Sequence, residues 1–169
     1  MAVRELKMFG AVELTTAASP VKMWDSRLHT LVEDMFATMY ARGGVGLAGN
    51  QIGVLQRLFV YDTRRRGNGL RGVLINPTWE PLSEEVQHGA EGCLSIPGIS
   101  LNTPRYQLIQ ASGFDQYGRR QAIVASGLLA RCIQHESDHL DGTLFLDRVS
   151  RDQKREAIAT FRSTHPELF

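Results

Sequence analysis

The sequence predicts an α+β fold in which mixed or antiparallel strands pack around a central metal-binding helix, with further helices towards the N- and C-termini. Three observations carry this. Apolar residues recur at helical spacing early in the chain and a capped helical segment closes it; β-type runs lie between; and residues 126–142 place His135-Glu136-Ser137-Asp138-His139 on a helical pattern. With 169 residues, 43% of them hydrophobic, one domain over 1–169 can bury a core of its own.

Taken in order, a first helix is expected over 20–40, where Trp24, Leu28, Leu31, Val32, Met35, Phe36 and Met39 recur at three and four, and Gly43-Gly44 follows as a stop. Strands are expected at Leu58–Asp62, 73–76, 106–114 and 121–125, the last two joined by a hairpin turn at Asp115-Gln116-Tyr117-Gly118, where Gly supplies the demanding backbone angle. Arg64-Arg65-Arg66-Gly67-Asn68-Gly69 reads as a loop with solvated charge. The motif helix should begin near Ser126 and end by Gly142. A last helix starts at Ser150, whose hydroxyl caps it with Gln153 as capping-box partner.

Composition excludes some functions. A formal net charge of +1 provides no general basic field for nucleic acid, and no apolar run reaches the length of a membrane span. Met1-Ala2-Val3-Arg4-Glu5-Leu6-Lys7-Met8 lacks the apolar stretch of a secretory signal, so a cytoplasmic location is expected. There, two cysteines suggest a metal or catalytic role for one of them rather than a disulfide. Cys132, at helical spacing with Leu128, Leu129 and Ile133, reads as packing. Gly43-Gly44-Val45-Gly46 lacks the later Gly-Lys-Ser/Thr of a phosphate-cradling loop, so no nucleotide cofactor is implied.

On a helix, residues four apart share a face, so His135 and His139 can direct ring nitrogens at one ion with Glu136 beside them to move protons. Such a pair needs a third ligand to define a catalytic site. One downstream pattern has Gly142 in place but Phe145 where it needs a His; another would take Glu156 or Glu167, which read as exposed helix residues. Upstream, Cys93 stands in the turn-rich Glu91-Gly92-Cys93-Leu94-Ser95. A zinc endopeptidase with a downstream ligand, and a closed non-catalytic site using His88 or Asp138 as a fourth ligand, stay as alternatives. An ion at an open site lowers the pKa of a water towards neutrality and polarises a carbonyl, which suits amide hydrolysis with Glu136 as proton carrier. The oxyanion that forms needs a side-chain amide and a backbone N–H aimed at it.

Glu91-Gly92-Cys93-Leu94-Ser95 and Gln134-His135-Glu136-Ser137-Asp138-His139-Leu140-Asp141-Gly142, with Gly44-Val45-Gly46-Leu47-Ala48-Gly49-Asn50-Gln51 before them, resemble the three signature motifs of the peptide deformylases, in family order and separation. The resemblance implies Cys93, His135 and His139 as ligands of one divalent ion. Sulfur with two imidazoles suits zinc or ferrous iron; Fe2+ is expected in the cell, with Zn2+, Ni2+ or Co2+ able to take its place. The two histidines need acceptors for their outer N–H groups; Glu91 and Asp138 are polar groups nearby in the chain, and the sequence assigns neither to that role. The resemblance further implies Glu136 as general base and acid, and the Gln51 side chain and Leu94 N–H as the oxyanion donors. Val45, Gly46 and Gly92 would pair with the backbone of the bound peptide, and Leu128, Leu129 and Arg131 would border the methionine side chain. The implied substrate is an N-formylmethionyl nascent polypeptide, cleaved to formate and a free amino terminus, with transient ribosome contact through Arg151, Lys154, Arg155 and Arg162 of the last helix.

Three departures from the family pattern bear on substrate range and leave open a specialised deformylase acting on another formylated small molecule or peptide. Arg131 replaces an aliphatic residue, so that it either runs its stem along the pocket with its head in water or alters the pocket's preference. Gly98-Ile99-Ser100 follows Pro97 where an Arg would hold the peptide, and Gly49-Asn50 replaces Ala-Pro, which is expected to loosen the backbone before Gln51.

Overall fold

In the computed structural model, which describes residues 1–67 and 69–169, the first helix, α1, spans Ser26–Ala41. Its late start relative to the expected 20–40 has a local cause. The Asp25 carboxylate accepts from the N–H groups of Arg27 and Leu28, satisfying donors that a helix start leaves unpaired. Ahead of it the chain is held by another element: Asn76 bonds both the N–H and the carbonyl of Val21 through its side-chain amide. Asn76 itself sits at φ 51, beside a break in strand register.

Five antiparallel strands form the main sheet in the order β1-β2-β3-β8-β9, where β1 is Gly46–Ala48, β2 Leu58–Asp62, β3 Arg71–Pro81, β8 Leu108–Phe114 and β9 Arg120–Ser126. Two short pairs lie beside it. β4 (Val86–Gln87) pairs with β7 (Arg105–Tyr106), and β5 (Ala90–Cys93) with β6 (Ile96–Asn102). The expected strand at Leu58–Asp62 stands as expected, whereas 73–76 lengthens to eleven residues and 106–114 loses its first two to β7 or the link after it. The turn at 115–118 forms as expected, with Asp115 Oδ1 accepting from the N–H groups of Tyr117 and Arg119 and Gly118 at φ 79. Of the expected Arg-rich loop, residues 64–66 form a 3-10 turn and Asn68 lies outside the described residues.

The sheet is sandwiched between two helices. Leu58 and Val60 on β2 face Leu28, Val32, Met35 and Met39 of α1, while Phe59 and Tyr61 point the other way, to Ala130, Ile133 and Leu140 of α2, which spans Gly127–Leu140. A strand covered on both faces has no need of polar alternation, which is why Leu-Phe-Val-Tyr is continuous. The last helix, α3 (Arg151–Thr164), begins at the Ser150–Gln153 capping box that the sequence signals and lays Ala157 and Phe161 on Ile96 and Ile99 of β6. Among the described residues no helix is long and apolar enough to cross a membrane.

Buried Asp34 on α1 anchors the N-terminal segment, accepting from the Ala2 N–H and from Arg4 Nε. Burial alone would raise its pKa, but the bonds from Ala2 and Arg4 outweigh this and hold the carboxyl below its ordinary value. A folded-state pKa below the unfolded one contributes stability that is fully present above the unfolded value and is lost as pH falls from there through the folded value. Asp34→Asn is therefore expected to flatten the acid limb of stability below about pH 4. Unfolding midpoints measured from pH 7 to pH 3 check this; parallel curves for the two proteins would count against it.

Candidate metal centre and catalytic cavity

The hairpin β5–β6 and helix α2 meet at the site. Cys93 ends β5, just before the two-residue turn Leu94-Ser95, and α2 presents His135 and His139 from successive turns. Cys93 Sγ lies 3.3 Å from His139 Nε2, which lies 3.2 Å from His135 Nε2. One ligand atom from each of the three residues falls within 4.8 Å of the others. Two imidazole nitrogens and a sulfur converging on one another make poor mutual partners and a suitable donor set for one soft or borderline divalent ion, so the residues fit the implied metal. His88 is not part of the cluster, and the Asp138 carboxylate is taken by two arginines, so neither closes the site. Glu156 and Glu167 are exposed, the first on α3 and the second beyond it.

Behind the ligands lies a buried lattice of charge, of which the sequence suggested only Glu91 and Asp138. Glu91 Oε2 accepts from His135 Nδ1 at 2.7 Å and from Arg105 Nη2 at 2.7 Å. Arg105 also reaches Asp138 Oδ2 at 2.7 Å, and Arg148 donates to both oxygens of Asp138. Burial raises the pKa of Glu91, but hydrogen bonds from His135 and Arg105 outweigh it and keep the carboxylate ionised, well below its usual range. That ionised acceptor sets the ring of His135, with Nδ1–H outward to Glu91 and Nε2 towards the cluster. Burial lowers the pKa of His139 well below its usual value, and neighbouring charge adds to this.

Arg131 departs from the first of the two expectations made for it. Its head is not in water: the residue is 7% exposed, and Nη1 donates to Glu91 Oε1 at 2.8 Å and to the Thr103 carbonyl at 2.7 Å. Only a carboxylate brought from forty positions away explains this, and no local pattern announces it. Asn50 likewise does not loosen the first motif, since its Nδ2 donates to the carbonyls of Glu13 and Thr16. Gln51 is buried; its Oε1 accepts from the Ala48 N–H, leaving Nε2 to face Cys93 Sγ at 3.5 Å and Ser95 Oγ at 3.2 Å.

A cavity of about 350 Å3 opens on these groups. Val45, Gly46, Gly92, Leu94 and Leu128 line it, as do Gln51, Arg131, His135 and Glu136. Leu129 does not line it; the next residue along α2 points a different way, into the core beside Phe59 and Leu74. Cys132 is packed in that core, as its spacing suggested, but also contributes to the wall, and its Sγ lies 3.6 Å from the Val45 carbonyl. Arg66, read from sequence as a solvated loop charge, borders the cavity.

Glu136 is fully enclosed. Burial pushes its pKa up to about 7, the charge of Glu91 adds to this, and His135 and Arg105 oppose it. Its Oε2 has no hydrogen-bond partner among the described residues. Gly46 makes room for the carboxylate: a Cβ there would sit 2.6 Å from Glu136 Oε1 and 2.8 Å from Cys132 Sγ. Gly46→Ala is therefore expected to displace Glu136 and to lower turnover by about 10²-fold, the loss that a displacement of order 1 Å brings, while the fold survives. Turnover within threefold of wild type would show that the carboxylate has freedom that this packing denies.

Known proteins share this architecture throughout. The sequence model described as polypeptide deformylase matches residues 3–155. The chain is 53% identical over 164 residues to peptide deformylase 1 of Corynebacterium glutamicum, covering 97% of each, and 47% identical to a peptide deformylase of Acidothermus cellulolyticus, covering 96% of this chain and 87% of that one. Among solved structures, a peptide deformylase from Legionella pneumophila superposes with a TM-score of 0.91 at 36% identity, covering 99% of this chain and 98% of the other. One from Ehrlichia chaffeensis in complex with actinonin superposes with 0.90 at 36% identity, covering 97% and 98%. With the family's motifs folded into one cavity and relatives at this identity aligned from end to end, the chain belongs to the polypeptide deformylase family and is an enzyme.

Proposed function

We propose that this enzyme removes the N-formyl group from N-formylmethionyl polypeptides, and that Cys93, His135 and His139 hold the divalent ion it uses. The observation that supports this most is the enclosed Glu136 beside the converging Cys93, His135 and His139. When bound, the ion would acidify a water and polarise the formyl carbonyl. Glu136 takes a proton from the attacking water as the new C–O bond forms, then delivers it to the nitrogen as the C–N bond breaks, giving formate and the free amine. Gln51 Nε2, fixed through the Ala48 N–H, and the Leu94 N–H in the hairpin turn carry the charge that develops on the carbonyl oxygen. β1 is an edge strand of the main sheet. The backbone at Val45 and Gly46, with Gly92 across the cavity, is suited to pair with an extended peptide whatever its sequence. Leu128 and the Arg131 stem border the first side chain.

With ferrous iron in the site, oxygen would oxidise both the ion and the Cys93 thiolate. We assign Fe2+ as the ion used in the cytoplasm, with Zn2+, Ni2+ or Co2+ as substitutes. Activity that falls on aerobic handling and returns with Ni2+ or Co2+ agrees with this; indifference to air favours zinc. Exposed Arg151, Arg155 and Arg162 on α3 are suited to transient contact with ribosomal RNA, a second element of the proposal that sedimentation with ribosomes checks.

The deciding assay is formate release from a short N-formylmethionyl peptide beside its N-acetyl counterpart, with enzyme prepared without oxygen. Release confined to the formyl peptide supports the proposal. Folded, metal-loaded protein that releases none, yet acts on another formylated compound, would favour the specialised deformylase.

A further inference from the structure

Arg131 occupies a costly position. A guanidinium this enclosed has lost its hydration, and Nη2 has no acceptor among the described residues, although the side chain forms part of the cavity wall. What it joins accounts for its presence. Glu91 lies two residues before Cys93 on β5, Thr103 directly follows β6, and Arg131 stands one turn before His135 on α2. Through one nitrogen, Nη1, the side chain fastens β5 and the residue that follows β6 to the helix that bears both imidazoles. Arg105 ties the same two elements from the other side of His135, by way of Asp138. Arg131 shares Glu91 Oε1 with Arg105 Nε, and the other oxygen is presented to His135 Nδ1.

We infer that Arg131 is a positioning residue of the metal site, which sets the separation of Cys93 from the two histidines and the ring orientation of His135. This rests on the reading of Cys93, His135 and His139 as ligands. The test compares wild type, Arg131→Met and Arg131→Lys for Co2+ affinity, by competition with a chelator, and for the thiolate-to-cobalt absorption band, with thermal unfolding of the apoproteins recorded separately. Arg131→Met should stay folded, bind Co2+ about 10 to 100-fold more weakly, and show a shifted or weakened band. Arg131→Lys keeps the charge but lacks the fork, and should recover part of the affinity. If Arg131→Met does not fold, the lysine variant carries the comparison, with an affinity between wild type and Glu91→Gln expected. Variants that are less stable yet bind Co2+ with wild-type affinity and spectrum would overturn the inference and leave Arg131 a structural residue. Wild-type protein that binds Co2+ without a thiolate band would instead overturn the ligand assignment beneath it.

Discussion

Glu136→Gln is expected to reduce formate release by about 10² to 10⁴-fold, the usual worth of a positioned proton carrier, while the protein folds and retains its ion. The substitution keeps shape and volume, so the close packing against Gly46 and Cys132 is preserved. What is lost is the capacity to accept a proton. The amide cannot take one from water or return it to the departing amine, and an amine that leaves without a proton is a very poor leaving group. Metal content by elemental analysis should match wild type, because Glu136 is not one of the converging ligands. A variant with more than a tenth of wild-type activity would mean that another group carries the proton, and with it the main role assigned here would fall.

Arg105→Leu should have the largest effect on stability. The guanidinium is 4% exposed and uses Nε, Nη1 and Nη2 on Glu91 and Asp138, both of which are buried too. Removing one partner of a buried ion pair typically costs about 3–5 kcal/mol, because the remaining charge is left without compensation. In a domain of this length that corresponds to a fall of roughly 10 °C in unfolding midpoint. Arg148 still covers Asp138, and Arg131 still covers Glu91, which sets the loss towards the lower end of that range. A midpoint within 2 °C of wild type would show that the lattice contributes little, its desolvation offsetting its attraction.

The contrast between what sequence reading reached and what it missed follows from range. Leu58–Asp62, the Ser150–Gln153 box and the Asp115 turn are decided within a few residues, and each lies where its own pattern puts it. The hairpin that bears Cys93 has no such signature. Ala90-Glu91-Gly92-Cys93 and Ile96-Pro97-Gly98-Ile99-Ser100 carry too little alternation to read as strands, and they pair where α3 packs against β6 and the 3-10 turn Phe145–Arg148 packs against β5. The motif side chains were legible through their resemblance to a family. Arg105, Arg131 and Arg148 were not, since an arginine looks alike in sequence whether it meets water or a carboxylate distant in the chain.

Arg148 has a consequence for how short this chain can become. It follows α2 by eight residues, stands half in solvent, and its two bonds to Asp138 close the outer end of the lattice that reaches back to His135. The smallest working unit thus ends not with the motif helix but with the segment after it. Truncation from the C-terminus removes, with the charged face of α3, the Ala157 and Phe161 packing on β6 and the Lys154–Asp147 ion pair, whereas a cut before Arg148 also opens the electrostatic frame of the centre.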